Sequence, residues 1–103
     1  MSISVNMEMD DGLIEIPVAT TEFFEKYWEK AIKECELKVF REYNCFRKQQ
    51  TDQVISELRL LKKWVEKNLV GREYVYMYER IENLEIEIPK MFEEHKNAIL
   101  YID

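Results

Sequence analysis

The chain has 103 residues, with 21 acidic and 15 basic side chains and a net charge of −6. A hydrophobic share of 47% with 13% aromatics is too high for a disordered acidic segment, and two Gly with two Pro leave little room for long loops, so one helix-rich domain over residues 1–103 is expected. No uncharged apolar run reaches the roughly 18 residues of a spanning helix, and the net acidity argues against nucleic acid or an anionic membrane as a direct partner.

The first eighteen residues predict a β-hairpin. Ile3, Val5, Met7 and Met9 alternate with polar residues, the period of a half-buried strand. Asp11-Gly12 is a two-residue turn signal. A hairpin built on it pairs Met9 with Ile14, Met7 with Ile16 and Val5 with Val18. Glu8 then stands opposite Glu15 on the outward face, with Asp10 and Asp11 at the tip. Like charges so placed cost stability unless water or a basic partner covers them. Pro17 lacks an N–H, so the second strand is expected to be an edge or to end there. The same acidic, alternating start lacks the pattern of a secretory signal, so a cytoplasmic protein is expected.

Thr20 or Thr21 caps the first predicted helix, and Glu22 suits its positive end. Phe24, Tyr27, Trp28, Ala31, Ile32 and Cys35 fall on one helical stripe, opposed by the i,i+4 pairs Glu22–Lys26 and Glu29–Lys33. The stripe continues through Val39, Tyr43 and Phe46, so the helix is expected to reach about Arg47, although Leu37 to Cys45 also carries strand-forming residues. A new cap at Thr51-Asp52 starts a second helix with Val54, Leu58, Leu61 and Val65 inward, and Gly71 ends it as a C′ residue. From Arg72 a third helix is favoured, because Tyr74, Tyr78, Ile81, Leu84 and Ile88 keep helical spacing despite the β-prone run 74–78. Pro89 starts a short helical turn, and Ala98 to Ile102 is a final strand. The expected class is therefore α+β: an N-terminal β-hairpin, two to three amphipathic helices and a short C-terminal strand joining the hairpin sheet. An echo of Ile14-Glu15-Ile16-Pro17 in Ile86-Glu87-Ile88-Pro89 is too short to establish a duplication.

Little in the sequence points to catalysis. The single His95 has no nucleophile motif beside it. One His and two Cys ten positions apart make no zinc set, and Cys35 and Cys45 are expected as reduced thiols. Two glycines cannot form a phosphate loop. A non-enzymatic protein without metal or cofactor is expected.

The charges are sorted into blocks: −6 over residues 1–36, +5 over 37–72 and −5 over 73–103. Arg41, Arg47, Lys48, Arg59, Lys62, Lys63, Lys67 and Arg72 make up most of the basic block, with Tyr43, Phe46 and Trp64 nearby. Those aromatics match the apolar stripes and are expected in the core, which weighs against a stacking surface for nucleic acid. The acids are the better candidate surface: Glu8, Asp10, Asp11 and Glu15 on the hairpin, and Glu79, Glu82, Glu85 and Glu87 on the third helix, with Tyr76 as an aromatic anchor. Joining the last strand to the hairpin would allow the two clusters to merge. In size, charge and aromatic richness the chain is similar to barstar-like and colicin-immunity proteins, a likeness that carries no residue roles across. It implies an inhibitor of a basic partner, such as a nuclease toxin or a nucleic-acid-binding effector. The alternative is a structural subunit forming a homodimer on a helical stripe or on the Pro17 edge.

Overall fold

Alternation at the start of the chain produces two antiparallel strands, β1 (Ser2–Met9) and β2 (Gly12–Thr20), as expected. The computed structural model describes residues 1–9 and 12–103, without the Met9 side chain; Asp10 and Asp11 lie outside the described residues. The hairpin register differs from the expected one by two residues. Met9 pairs with Gly12, Met7 with Ile14 and Val5 with Ile16, so Gly12 opens a strand. A two-residue slip keeps every side chain on its face, so the apolar pattern accepts either register. The observed register sets Glu8 opposite Leu13 and Glu15 opposite Asn6, which removes the expected like-charge pair. A bulge between Ile3 and Ser4 leaves Val18 as an extra residue, and both Val18 and Ala19 are buried.

Helix α1 covers residues 21–34. It opens on Thr20, whose hydroxyl accepts from the Phe23 N–H at 3.2 Å, and it contains a π-helical segment, Phe24–Trp28. It ends about thirteen residues earlier than the apolar stripe suggests. Glu36 takes a left-handed φ of 55°, the Glu36 N–H donates to the Lys33 carbonyl and the Leu37 N–H to the Ile32 carbonyl. This is a Schellman cap with glutamate where glycine is usual, so no local stop signal marks the end of the helix.

The chain then runs through an irregular segment, 37–44, into the short strand β3 (Cys45–Arg47) and a 3₁₀ turn, Lys48–Gln50. Helix α2 spans Thr51–Asn68, and helix α3 spans Gly71–Glu94 without interruption, with Pro89 inside it. Gly71, with φ of 65°, turns the chain into α3 instead of closing α2, which ends on Leu69. Strand β4 (Ile99–Ile102) pairs with β1 on one side and β3 on the other. The fold is α+β, with an antiparallel sheet of order β2-β1-β4-β3. Because Ile14–Pro17 lies in a strand and Ile86–Pro89 in a helix, the sequence echo is not a structural repeat.

One sheet face carries Ile3, Val5, Met7, Ile16, Phe46, Leu100 and Ile102 into the core, where Trp28, Leu58, Leu61, Ile81, Leu84 and Ile88 meet them. The helices form the layer over that face. Within this core sits one buried acid, Glu57, only 6% exposed. Its carboxylate accepts from the consecutive N–H groups of Lys38, Val39 and Phe40, at 2.9, 3.2 and 2.7 Å. A helical side chain thus closes the hydrogen bonding of the irregular segment, whose Leu37, Val39 and Phe40 are buried. Glu57→Ala leaves three amides without that acceptor and is expected to cost about 2–4 kcal/mol in urea denaturation. The amides of residues 38–40 should also lose hydrogen-exchange protection. A loss under about 0.5 kcal/mol would show that water replaces the carboxylate at no cost.

Candidate functional site

Among the described residues, no helix or strand is layered over the opposite face of the sheet. Outward residues of neighbouring strands stand in register, so the pairs Glu15–Asn6, Asn6–Tyr101 and Tyr101–Cys45 form one row across all four strands. Beside this row lie Glu8 with Leu13 on one side and Ser4 with Pro17 and Asp103 on the other. Tyr101 is 41% and Leu13 53% exposed, so this face shows two large side chains to solvent.

Asn6 is nearly buried, at 8% exposure, although it belongs to this outer face. It accepts from the Ser4 hydroxyl at 2.7 Å and donates from Nδ2 to the Asp103 carboxylate. The Ser4–Asn6–Asp103 chain therefore fixes the carboxylate at the end of β4 against the middle of β1.

The irregular segment completes the face. Tyr43 has a left-handed φ of 65° and is 84% exposed. Its N–H donates to the Ile102 carbonyl at 2.7 Å, and the Ile102 N–H donates to the Asn44 carbonyl at 3.0 Å. Asn44 Nδ2 in turn donates to the Val39 carbonyl at 2.7 Å. The expectation that Tyr43 is a core residue is corrected: it assumed a helix through residue 46, and the Schellman cap ends that helix at 34. Phe46 and Trp64 are buried as expected. A groove of about 440 Å³ runs between Tyr43 and the first strands, lined in part by Leu13, Glu15, Glu42 and Asp103.

Four carboxylates, those of Glu8, Glu15, Glu42 and Asp103, border this face, and none takes part in an ion pair among the described residues. Arg47 on β3 is the base on the same side. Burial holds the Glu42 carboxyl above its ordinary value, and the negative charges of Glu29 and Glu25 add to the effect, while a bond from the Tyr43 hydroxyl opposes it.

The helical acids are placed differently. They lie in the layer covering the other side of the sheet, so the two acidic clusters do not merge. Glu85 is 2.9 Å from the Lys62 ammonium and 3.9 Å from Arg59, and its hydrogen bond raises the Lys62 pKa. Glu87 pairs with Lys90 at 4.0 Å, whereas Glu79 and Glu82 are exposed. Tyr76 is held in place: its hydroxyl accepts from the Thr20 N–H at 3.1 Å, its ring meets Phe23 edge-on, and Arg80 lies over it. Tyr74 and Tyr78 stack on each other. The exposed tyrosines are Tyr43 and Tyr101 instead. Tyr101 was accessible from the alternation of Leu100 and Ile102 with Tyr101 and Asp103, whereas no local signal marks Tyr43, which lies in the irregular segment.

Both cysteines are free. Burial, followed by the adjacent Glu34 charge, raises the Cys35 pKa, which keeps its thiol protonated and weakly nucleophilic. Cys45 is exposed in the outer row. Among the described residues no group of three or more His, Cys, Asp or Glu is placed to hold a metal, and no helix is long and apolar enough to cross a membrane. The carboxylates give this face a negative field, which attracts cations.

Comparison with protein-family models, with curated proteins and with solved structures found no match in any of the three.

Because the folded-state pKa of Glu42 lies above its unfolded value, ionised Glu42 opposes folding. That penalty is present at neutral pH and disappears as pH falls below the unfolded carboxylate value. Glu42→Gln should therefore have a higher Tm than the parent protein at pH 7, and the two melting curves should converge below about pH 4. A lower Tm for the variant at pH 7 would mean that the carboxylate is favourably solvated where it stands.

Proposed function

We propose that this protein is a small acidic binding module that occludes a basic protein partner with the uncovered face of its sheet. The observation that carries the reading is the charge imbalance of that face: four carboxylates without an ion pair among the described residues and two exposed tyrosines, against one arginine. Such a face accelerates encounter with a basic surface and disfavours acidic ones, and its aromatic residues supply the anchors that interfaces use. Against a nuclease toxin or a nucleic-acid-binding effector, the carboxylates would stand where substrate phosphates bind. Inhibition would then be steric and electrostatic, with no bond made or broken.

A second reading, a self-assembling subunit, has one observation in its favour. The helical stripes are buried in the core, which leaves the β2 edge strand, where Leu13 and Ile14 are exposed.

The double variant Glu8→Lys, Glu15→Lys separates the two readings. Both side chains are exposed and neither faces the other, so the melting temperature should stay near that of the parent protein. Affinity purification from host lysate, eluted by a salt step, should recover a basic protein with the parent chain and lose it with the variant. Recovery of the same protein at equal yield with the variant would remove the sheet face as the site. Recovery of only bait copies would favour self-assembly.

A further inference from the structure

The free edge of β2 carries its own pattern of donors and acceptors. In an antiparallel ladder a residue's N–H and C=O point to the same side, and successive residues alternate. Ser4 exchanges both of its backbone bonds with Asp103, so the backbone groups of Ser4, Asn6 and Glu8 face β4. Their partners across the hairpin, Pro17, Glu15 and Leu13, therefore turn their backbone groups away from β1, to the edge of the sheet. Two positions of that edge are closed: Pro17 has no N–H, and the Thr20 N–H donates to the Tyr76 hydroxyl. Leu13 and Glu15 remain, each with an N–H and a C=O that no described residue meets. Ile14 stands between them on the core side of the sheet, paired with the buried Met7, yet it is 39% exposed. With Leu13 on the outer side, this stretch of edge is apolar on both faces and is a template for another strand.

The spacing of the open groups selects the strand that fits. A second copy running antiparallel, related by a two-fold axis through Ile14, sets Leu13 against Glu15 of that copy and Glu15 against its Leu13. Both are hydrogen-bonded pairs, so all the open groups of the two edges are used. Ile14 meets Ile14 of the second copy in a non-hydrogen-bonded pair, the closer kind, and each covers the other's exposed surface. The two-fold registers on either side fail. Centring on Glu15 opposes two carboxylates and asks Pro17 for a donor that it lacks. Centring on Leu13 sends Glu15 beyond Gly12, where β2 begins.

We infer that the Gly12–Ile16 edge of β2 pairs with the same edge of a second copy, joining two four-stranded sheets into one with both helical layers on the same side. This rests on the self-assembly reading above and fixes its register. It leaves the acidic-face reading independent, because the outer faces stay uncovered and become continuous. Pairing over so few residues buries less than the roughly 800 Å² per partner of a standard interface, so the dimer is weak. Two chains of net charge −6 also repel, so salt favours it.

The test is sedimentation velocity on the full chain over about a hundredfold range of concentration, at low and high salt. The dimer fraction should rise with both. Ile14→Glu and Ile14→Lys should each weaken the dimer; Ile14 is already partly exposed, so folded variants are expected. An equal mixture of the two should associate about fivefold more tightly than either alone, because residue 14 then faces its opposite charge. Glu15→Pro tests the backbone: it removes an N–H that no strand of the monomer uses, so the melting temperature should stay near the parent's while the dimer is lost. A chain that stays monomeric at every concentration would overturn the inference and the self-assembly reading with it. A dimer that survives Glu15→Pro, or for which the mixture is no tighter than its components, would overturn the inference alone. So would a dimer that salt dissolves, since opposite charges would then be holding it.

Discussion

The irregular segment that completes the open side of this protein is held by one buried carboxylate. Glu57 projects from α2 into the core and gathers the three amides of residues 38–40, so a stretch with no regular secondary structure is fixed as firmly as a strand. That stretch then delivers Phe40 against Trp28, at 6.0 Å between ring centres, and Asn44 and Tyr43 against the end of β4. A carboxylate suits the task because it accepts at both oxygens and in several directions, while a glutamine would present one accepting oxygen and two unwanted donors. An uncompensated buried charge is costly, and three N–H dipoles converging on it are the compensation.

The sorted charges of the sequence resolve into two different outcomes. In the helical layer the basic block on α2 meets the acids of α3, and Lys62 and Arg59 share Glu85. There the opposite blocks neutralise each other and help to fix how two helices lie together. On the sheet no basic element of the described residues is packed over β1, β2 or β4, so Glu8, Glu15 and Asp103 keep their fields directed outward, while Glu22, Glu25, Glu29 and Glu34 of the first block lie on α1. Among the described residues the side of the molecule that has no helices thus carries four carboxylates against one arginine, backed by a low-dielectric sheet.

Patterns of period two and 3.6 made the architecture legible: a hairpin, a helical stripe at Val54, Leu58, Leu61 and Val65, another at Ile81, Leu84 and Ile88, and a closing strand. The errors fall where a single residue departs from its type's usual role. Glutamate at the Schellman position hid the end of α1, and with it the strand at Cys45–Arg47. The hairpin slip escaped because faces repeat every two residues, so only the opposition of Glu8 and Glu15 distinguishes the registers. Gly71 has the expected positive φ but turns the chain into the following helix. Glu57 sits one residue before Leu58 on a helix rich in charge, and nothing local marks it as buried, because its partners lie 17 to 19 residues upstream. Of the candidate surface, Glu8 and Glu15 were legible from alternation. The contribution of residues 42–43 depended on tertiary contacts.

The strand order also bears on how the chain is made. β4 emerges after every other strand of this sheet, yet it lies inside it, with β1 on one side and β3 on the other. Until residues 99–102 leave the ribosome, the hairpin has a bare inner edge and β3 has no strand to pair with. Closing the sheet joins residues almost a full chain length apart, a slow kind of contact. The helices can pack α2 on α3 beforehand, since their contacts are closer in sequence. Synthesis therefore passes through a stage in which the hairpin's apolar face and the β1 edge are both open, and the arrival of Leu100 and Ile102 closes them together.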